Sequence, residues 1–177
     1  MAHPPAHTVL VVPVPELEGF VRERTEHYDA SLLSADPAFV HAHITVLGPF
    51  LTDPSPTDLA EVAGIVADLA AFDFRLERLD EFADGIIHLL ADPDDGFREL
   101  TRRLVASFPQ CPPYAGAFAE PVPHLTLDQR ASGISLESVR AALGDVVPAA
   151  CRADRVALHR YANHDCRVLA DWKLGVG

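Results

Sequence analysis

Two short segments of this chain carry residues able to move protons. His43-Ile44-Thr45-Val46 and His124-Leu125-Thr126-Leu127 both read His, aliphatic, Thr, aliphatic. In an extended strand alternate side chains share a face. His43 and Thr45 therefore project together from one face, and Ile44 and Val46 project from the other. His124 and Thr126 repeat the arrangement. An imidazole titrates near neutrality and can give or take a proton, while a hydroxyl donates a hydrogen bond without competing for that proton. Two such strands side by side would place two imidazoles and two hydroxyls around one ligand. With nine histidines in 177 residues, about 0.02 matches to this pattern are expected by chance, so a pair is not an accident of composition.

These residue types suit acid–base hydrolysis. It needs a proton removed from water and a proton delivered to the departing oxygen, and one neutral and one protonated imidazole can share those tasks. Thr45 and Thr126 would donate to oxygens where charge builds. Around them, His41 shares the strand face of His43, Tyr114 and Phe118 could stack on a base, and Arg130 could meet a phosphate. Arg160 and Tyr161 are weaker candidates, and His88 and His159, on late strands, are ambiguous. Two other functions fit the same residues. His41, His43 and His124 could supply three imidazoles to zinc in a hydrolase, although Thr recurs at both motifs and no carboxylate does. A module that binds a nucleotide or RNA end without turnover is the other.

The elements that must position these residues can be read from periodicity. Thr8 to Val14 reads as a buried strand. A helix follows to about Tyr28, with Leu17, Phe20 and Val21 inward and Arg22, Glu23, Arg24 and Glu26 outward. The first motif strand is expected within Ala38 to Phe50, stopped at Gly48-Pro49. Ser55-Pro56 with Asp58 reads as a helix cap, and a strand pair follows over Phe72 to Ala91, turning at Asp84-Gly85. Asp94-Asp95-Gly96 opens a helix with Phe97, Leu100, Leu104 and Phe108 inward. Pro109 to Pro123 is a Pro-rich aromatic loop ahead of the second motif strand. Ser135 caps a helix ending near Gly144, and strands over Arg155 to Tyr161 and Arg167 to Leu174 close the chain. The order resembles a duplicated unit and predicts an α+β fold, taken as a single domain over residues 1–177 with two lobes.

Composition narrows the partners. The net charge of −12 at pH 7 argues against extended, sequence-blind nucleic-acid binding, which needs a basic surface. Three cysteines without paired spacing fit a reduced cytoplasm rather than a disulfide framework. No segment reads as a signal peptide or membrane span, and a monomer is expected.

The motifs resemble those of the 2H phosphoesterases, closest to the bacterial branch described as 2'-5' RNA ligase-like or cyclic phosphodiesterase-like. Pro13-Val14-Pro15, the Leu47-Gly48-Pro49-Phe50 exit from the first motif, and Pro113-Tyr114 with Pro123 to Thr126 support the resemblance. It implies a bilobal, pseudo-symmetric α+β fold, two antiparallel-rich sheets lining a central cleft with helices outside, and metal-independent chemistry without a cofactor. It also implies a small nucleotide or RNA-end substrate carrying a 2',3'-cyclic or related phosphate.

Overall fold

The computed structural model describes residues 5–118 and 120–176. Apolar runs and alternating segments form eight strands: β1 His7–Pro13, β2 His43–Leu47, β3 Phe72–Glu81, β4 Ile86–Asp92, β5 His124–Gln129, β6 Ala149–Ala153, β7 Arg155–Tyr161 and β8 Arg167–Lys173. Four helices intervene: α1 Glu18–Tyr28, α2 Pro56–Ala67, α3 Asp95–Ser107 and α4 Leu136–Leu143. Their starts follow local chemistry. Ser55 accepts from the Asp58 amide while the Asp58 carboxylate accepts from the Ser55 amide, a reciprocal cap. Ser135 and Ser138 do the same for α4. At the start of α3, Gly96 lies against Phe72, where a Cβ would come within 2.5 Å of the ring, so any larger residue would have to displace that ring where the helix seats on the sheet.

The strands assemble in the order β6-β3-β4-β5-β2-β1-β7-β8, and every pairing is antiparallel. The sheets expected on either side of the cleft meet where β2 joins β5, through one registered pair, Ile44 with Leu125. One four-stranded half is β2-β1-β7-β8 and the other β5-β4-β3-β6. The repeat visible in the sequence thus exchanges strands. β3, from the first half of the chain, pairs with β4 and β6 beside the second motif, while β7 returns to pair with β1 beside the first.

One face of the sheet is covered by the four helices. Ile44, Val46, Leu125 and Leu127 join Leu17, Val21, Val62, Val66, Leu100, Leu104, Val139 and Leu143 in a single buried cluster. Burial of this kind is the main stabilising term in folding. The other face carries a small apolar platform of Val9, Val11 and Ala157, with Tyr161 and Val168 packed beside it.

Three local readings are corrected. The first motif strand spans only His43–Leu47, because residues 38–42 are held as a loop by α1. The Glu18 carboxylate accepts from the Ala42 amide at 2.9 Å and meets His41 Nδ1 at 2.6 Å. Arg24 is not a solvated helix residue. It reaches Asp128, which is 3% exposed at the side chain, and donates through Nε at 2.7 Å, tying α1 to the second motif strand. The edge strand β6 was not expected; it pairs with Phe72 to Leu76.

Candidate active site

The side-chain period places the two motifs. Ile44 and Leu125 are fully buried partners, so the residues flanking them point to the opposite face. In an antiparallel pair this sets His43 across from Thr126 and Thr45 across from His124. The two imidazoles and two hydroxyls thus occupy opposite corners of one patch, and all four residues are half-buried.

Both imidazoles are held identically. His43 Nδ1 lies 2.7 Å from the His41 carbonyl, and His124 Nδ1 lies 2.7 Å from the Val122 carbonyl, in each case two residues back. A carbonyl only accepts, so Nδ1 carries the proton and Nε2 is left to exchange one. Burial pulls both imidazoles below their ordinary range, offset in part by those carbonyls. His124 disfavours charge on His43 further, and His88 does so for His124. Among the described residues the Thr45 and Thr126 hydroxyls make no hydrogen bond, whereas Thr8, Thr25 and Thr101 are tied to the carbonyls of Leu51, Val21 and Val46. Gly48 keeps the exit of the first motif tight, since a Cβ there would lie 3.0 Å from Val9 and 3.3 Å from Thr45.

Beyond Ile44 and Leu125 no further register joins β2 to β5. A pocket of about 400 Å³ opens there, lined by Thr45, Gly48, Thr101, Tyr114, Val122 and Pro123, with Arg98 and Arg102 among its other walls. Both arginines are already paired, with Asp94 and Glu99 respectively. Tyr114 adopts a left-handed backbone (φ 52°) and its amide donates to the Gly48 carbonyl at 2.6 Å. Its ring lies 6.5 Å from that of His124, nearly parallel to it. Phe118 packs edge-on against Tyr114 but is 56% exposed.

The remaining sequence candidates fall elsewhere. His41 is buried, and both ring nitrogens are taken: Nδ1 meets Glu18 and Nε2 accepts from the Ser34 amide at 3.1 Å. It has no free nitrogen for a ligand, so the three-imidazole zinc arrangement is not available. Among the described residues no cluster of three His, Cys, Asp or Glu side chains is placed to hold a metal ion. Arg130 lies beyond the end of β5, six residues past His124 or about 20 Å of strand. Its Nε donates to Glu81 at 2.7 Å, and that contact holds the Glu81 carboxyl below its usual range.

Four residues ranked low or ambiguous in the sequence, or not singled out there, crowd the motif histidines. His88 stacks on Phe82 with centroids 3.8 Å apart, and both rings approach His124 edge-on, at 5.2 and 4.8 Å. His159 stands edge-on to His43 at 6.0 Å, and the Tyr161 hydroxyl lies 3.5 Å from the His43 nitrogens. The available signal was strand alternation, which puts His88 on the face of its ladder partner Thr126.

The sequence model of the 2'-5' RNA ligase superfamily matches residues 13–165, most of the chain. The chain belongs to the 2'-5' RNA ligase superfamily. Membership supports an enzyme with phosphoesterase activity. Solved structures share the fold. A crystal structure described as a phosphoesterase superposes with a TM-score of 0.58 at 18% identity, covering 97% of this chain and 99% of the other. LigT of E. coli complexed with NADP+ gives 0.56 at 18% identity over the same shares. TT0787 of Thermus thermophilus gives 0.55 at 19% identity, over 96% of this chain and 98% of its own. None of the curated proteins matches this chain by sequence. Among the described residues no helix is long and apolar enough to cross a membrane.

Proposed function

We propose that this protein is a metal-independent phosphoesterase that opens 2',3'-cyclic or related cyclic nucleotide phosphodiesters by acid–base catalysis between His43 and His124. The observation that carries the reading is the diagonal patch of two histidines and two threonines around the Ile44–Leu125 pair, with both Nε2 atoms left to exchange protons. One Nε2 takes a proton from water as its oxygen attacks phosphorus. The other, protonated, delivers its proton to the ribose oxygen as the phosphorus–oxygen bond breaks, leaving a phosphomonoester and a free hydroxyl. Thr45 and Thr126 donate to the non-bridging oxygens. With a 5'-hydroxyl in place of water, the same ring-opening step forms a 2'-5' linkage and releases the 3'-hydroxyl.

A small nucleotide suits the site better than a long RNA. The chain is strongly acidic, and Arg98, Arg102 and Arg130 already have carboxylate partners. The similarly folded LigT of E. coli has been crystallised with 3'-AMP, ATP and phosphate. Tyr114, beside Thr45 in the pocket wall, is positioned to pack against a base.

The test is turnover of the four 2',3'-cyclic mononucleotides after exhaustive treatment with a chelator. Product formation at an undiminished rate is expected. Activity that disappears with the chelator and returns with zinc would replace this mechanism with a metal-dependent one. Stoichiometric nucleotide binding without turnover would make the chain a binding module.

A further inference from the structure

Each motif histidine is backed by a second, buried imidazole that the proposed proton transfers do not use. His88 is 1% exposed and His159 is 0% exposed. Each lies flat on a phenylalanine, His88 on Phe82 at 3.8 Å and His159 on Phe39 at 4.1 Å. Each presents an edge-to-face contact to its motif partner. The two halves of the site are alike to this point and then diverge. The Tyr161 hydroxyl stands between His159 and His43, 3.4 Å from His159 Nδ1 and 3.5 Å from both nitrogens of His43. Among the described residues His159 Nε2 is buried without a partner, and this hydroxyl is the hydrogen-bonding neighbour of the ring. Beside His124 the comparable positions are the rings of Phe82, His88 and Tyr114.

We propose that Tyr161, oriented by His159, is a positioning residue for His43 that makes the two motif histidines unequal. The inference rests on the reading of His43 as a proton-transfer group. His43 Nδ1–H already belongs to the His41 carbonyl, so an incoming proton goes to Nε2 and creates a half-buried cation. The groups facing that cation are His41 on its own segment, Glu18 on α1, His124 on β5, and His159 and Tyr161 on β7. Glu18 is engaged by His41 and the Ala42 amide. The three other imidazoles offer no negative charge. That leaves the phenol, which burial keeps in its neutral form, as the polar group astride both nitrogens. A hydroxyl interacts more strongly with a cation than with a neutral ring. It therefore favours the protonated state of His43 against the burial that opposes it, and among the described residues no tyrosine hydroxyl stands at this distance from the nitrogens of His124.

The experiment follows the imidazole nitrogens by 15N NMR through a pH titration of wild type, Tyr161→Phe, His159→Phe and His88→Phe, with a melting curve for each. Tyr161→Phe retains the ring that packs on Phe39 and His7. It should lower the His43 midpoint by about 0.5–1 pH unit, the size expected for losing one hydroxyl contact to a cation, and leave His124 in place. His159→Phe should lower His43 by a smaller amount, and His88→Phe should leave it unmoved. A His43 midpoint that stays or rises in Tyr161→Phe, or that moves together with His124, overturns the proposal. Should Tyr161→Phe not fold, an unshifted His43 in His159→Phe has the same force. The titration needs no substrate, so a protein that turns over no cyclic phosphate would remove the proposed function while leaving this shift to be read. In an active protein, the limb of the kcat/KM profile set by His43 should move in Tyr161→Phe, less in His159→Phe, and not in His88→Phe.

Discussion

Acid should find a specific weak point in this fold, and His159→Phe should remove it. His159 is fully buried. Desolvation first, then the neighbouring His43 and His41, drive its pKa from 6.5 to about 3. In the unfolded chain the same imidazole titrates near its ordinary value. Between those two values the unfolded state holds a proton that the folded state refuses, so stability rises with pH across that window. The contribution is fully present above pH 6.5 and is lost as pH falls toward 3, at about 1.4 kcal/mol per unit and about 5 kcal/mol in all. That is comparable to the whole stability of many domains. Phenylalanine preserves the stack on Phe39 and takes up no proton. Urea denaturation of both proteins from pH 7.5 to pH 4 should show their stability difference moving in favour of the variant by about 3 kcal/mol. His43 and His124 act in the same direction in both proteins, and the small lowering of His43 expected in His159→Phe opposes the difference, so a gain by the variant reports on His159. A difference that stays constant from pH 7.5 to pH 4 would refute the reasoning.

Further outcomes concern the reaction. His43→Ala and His124→Ala should each reduce turnover of a cyclic phosphodiester by about 10²–10⁴-fold, and the double variant by far less than the product, since the two act as a unit. Thr45→Val and Thr126→Val keep the strand shape and remove the donor; steady-state rates should fall by up to about 10²–10³-fold. The pH profile of kcat/KM should be a bell centred below pH 6.5. The base must lose its proton, so the rate rises with pH through one lowered pKa; the acid must keep its proton, so the rate falls about tenfold per unit above the other. An optimum above pH 7.5 would contradict the burial of both imidazoles.

The motif strands were legible because a two-residue period admits only one partition of His, Ile, Thr and Val between faces. The caps at Ser55 and Ser135 were legible because they are local. What escaped depends on partners far along the chain. His41 looks like a third site residue until Glu18, 23 residues earlier, meets its Nδ1. Arg24 looks solvated until Asp128 is found 104 residues later. His88 and His159 could not be ranked because the phenylalanines beneath them lie in a turn and a loop. β6 has small residues after Pro148 and no β-branched side chain, so propensity says little, and its pairing with β3 decides it.

The exchange of strands between the two halves also sets the order in which the molecule can assemble. The β3–β4 and β7–β8 hairpins join residues close in sequence, and they can form early. β1 can pair with β2 early, but it finds its second neighbour, β7, only when His7 meets Tyr161, 154 residues apart. Closing so large a loop carries a high entropic cost before any contact compensates it. The half of the sheet that carries His43 is therefore the last to be completed, and refolding should lag behind that of helical proteins of similar size. Catalytic competence would appear only with that final pairing, which makes recovery of activity a direct clock for the docking of β7 against β1.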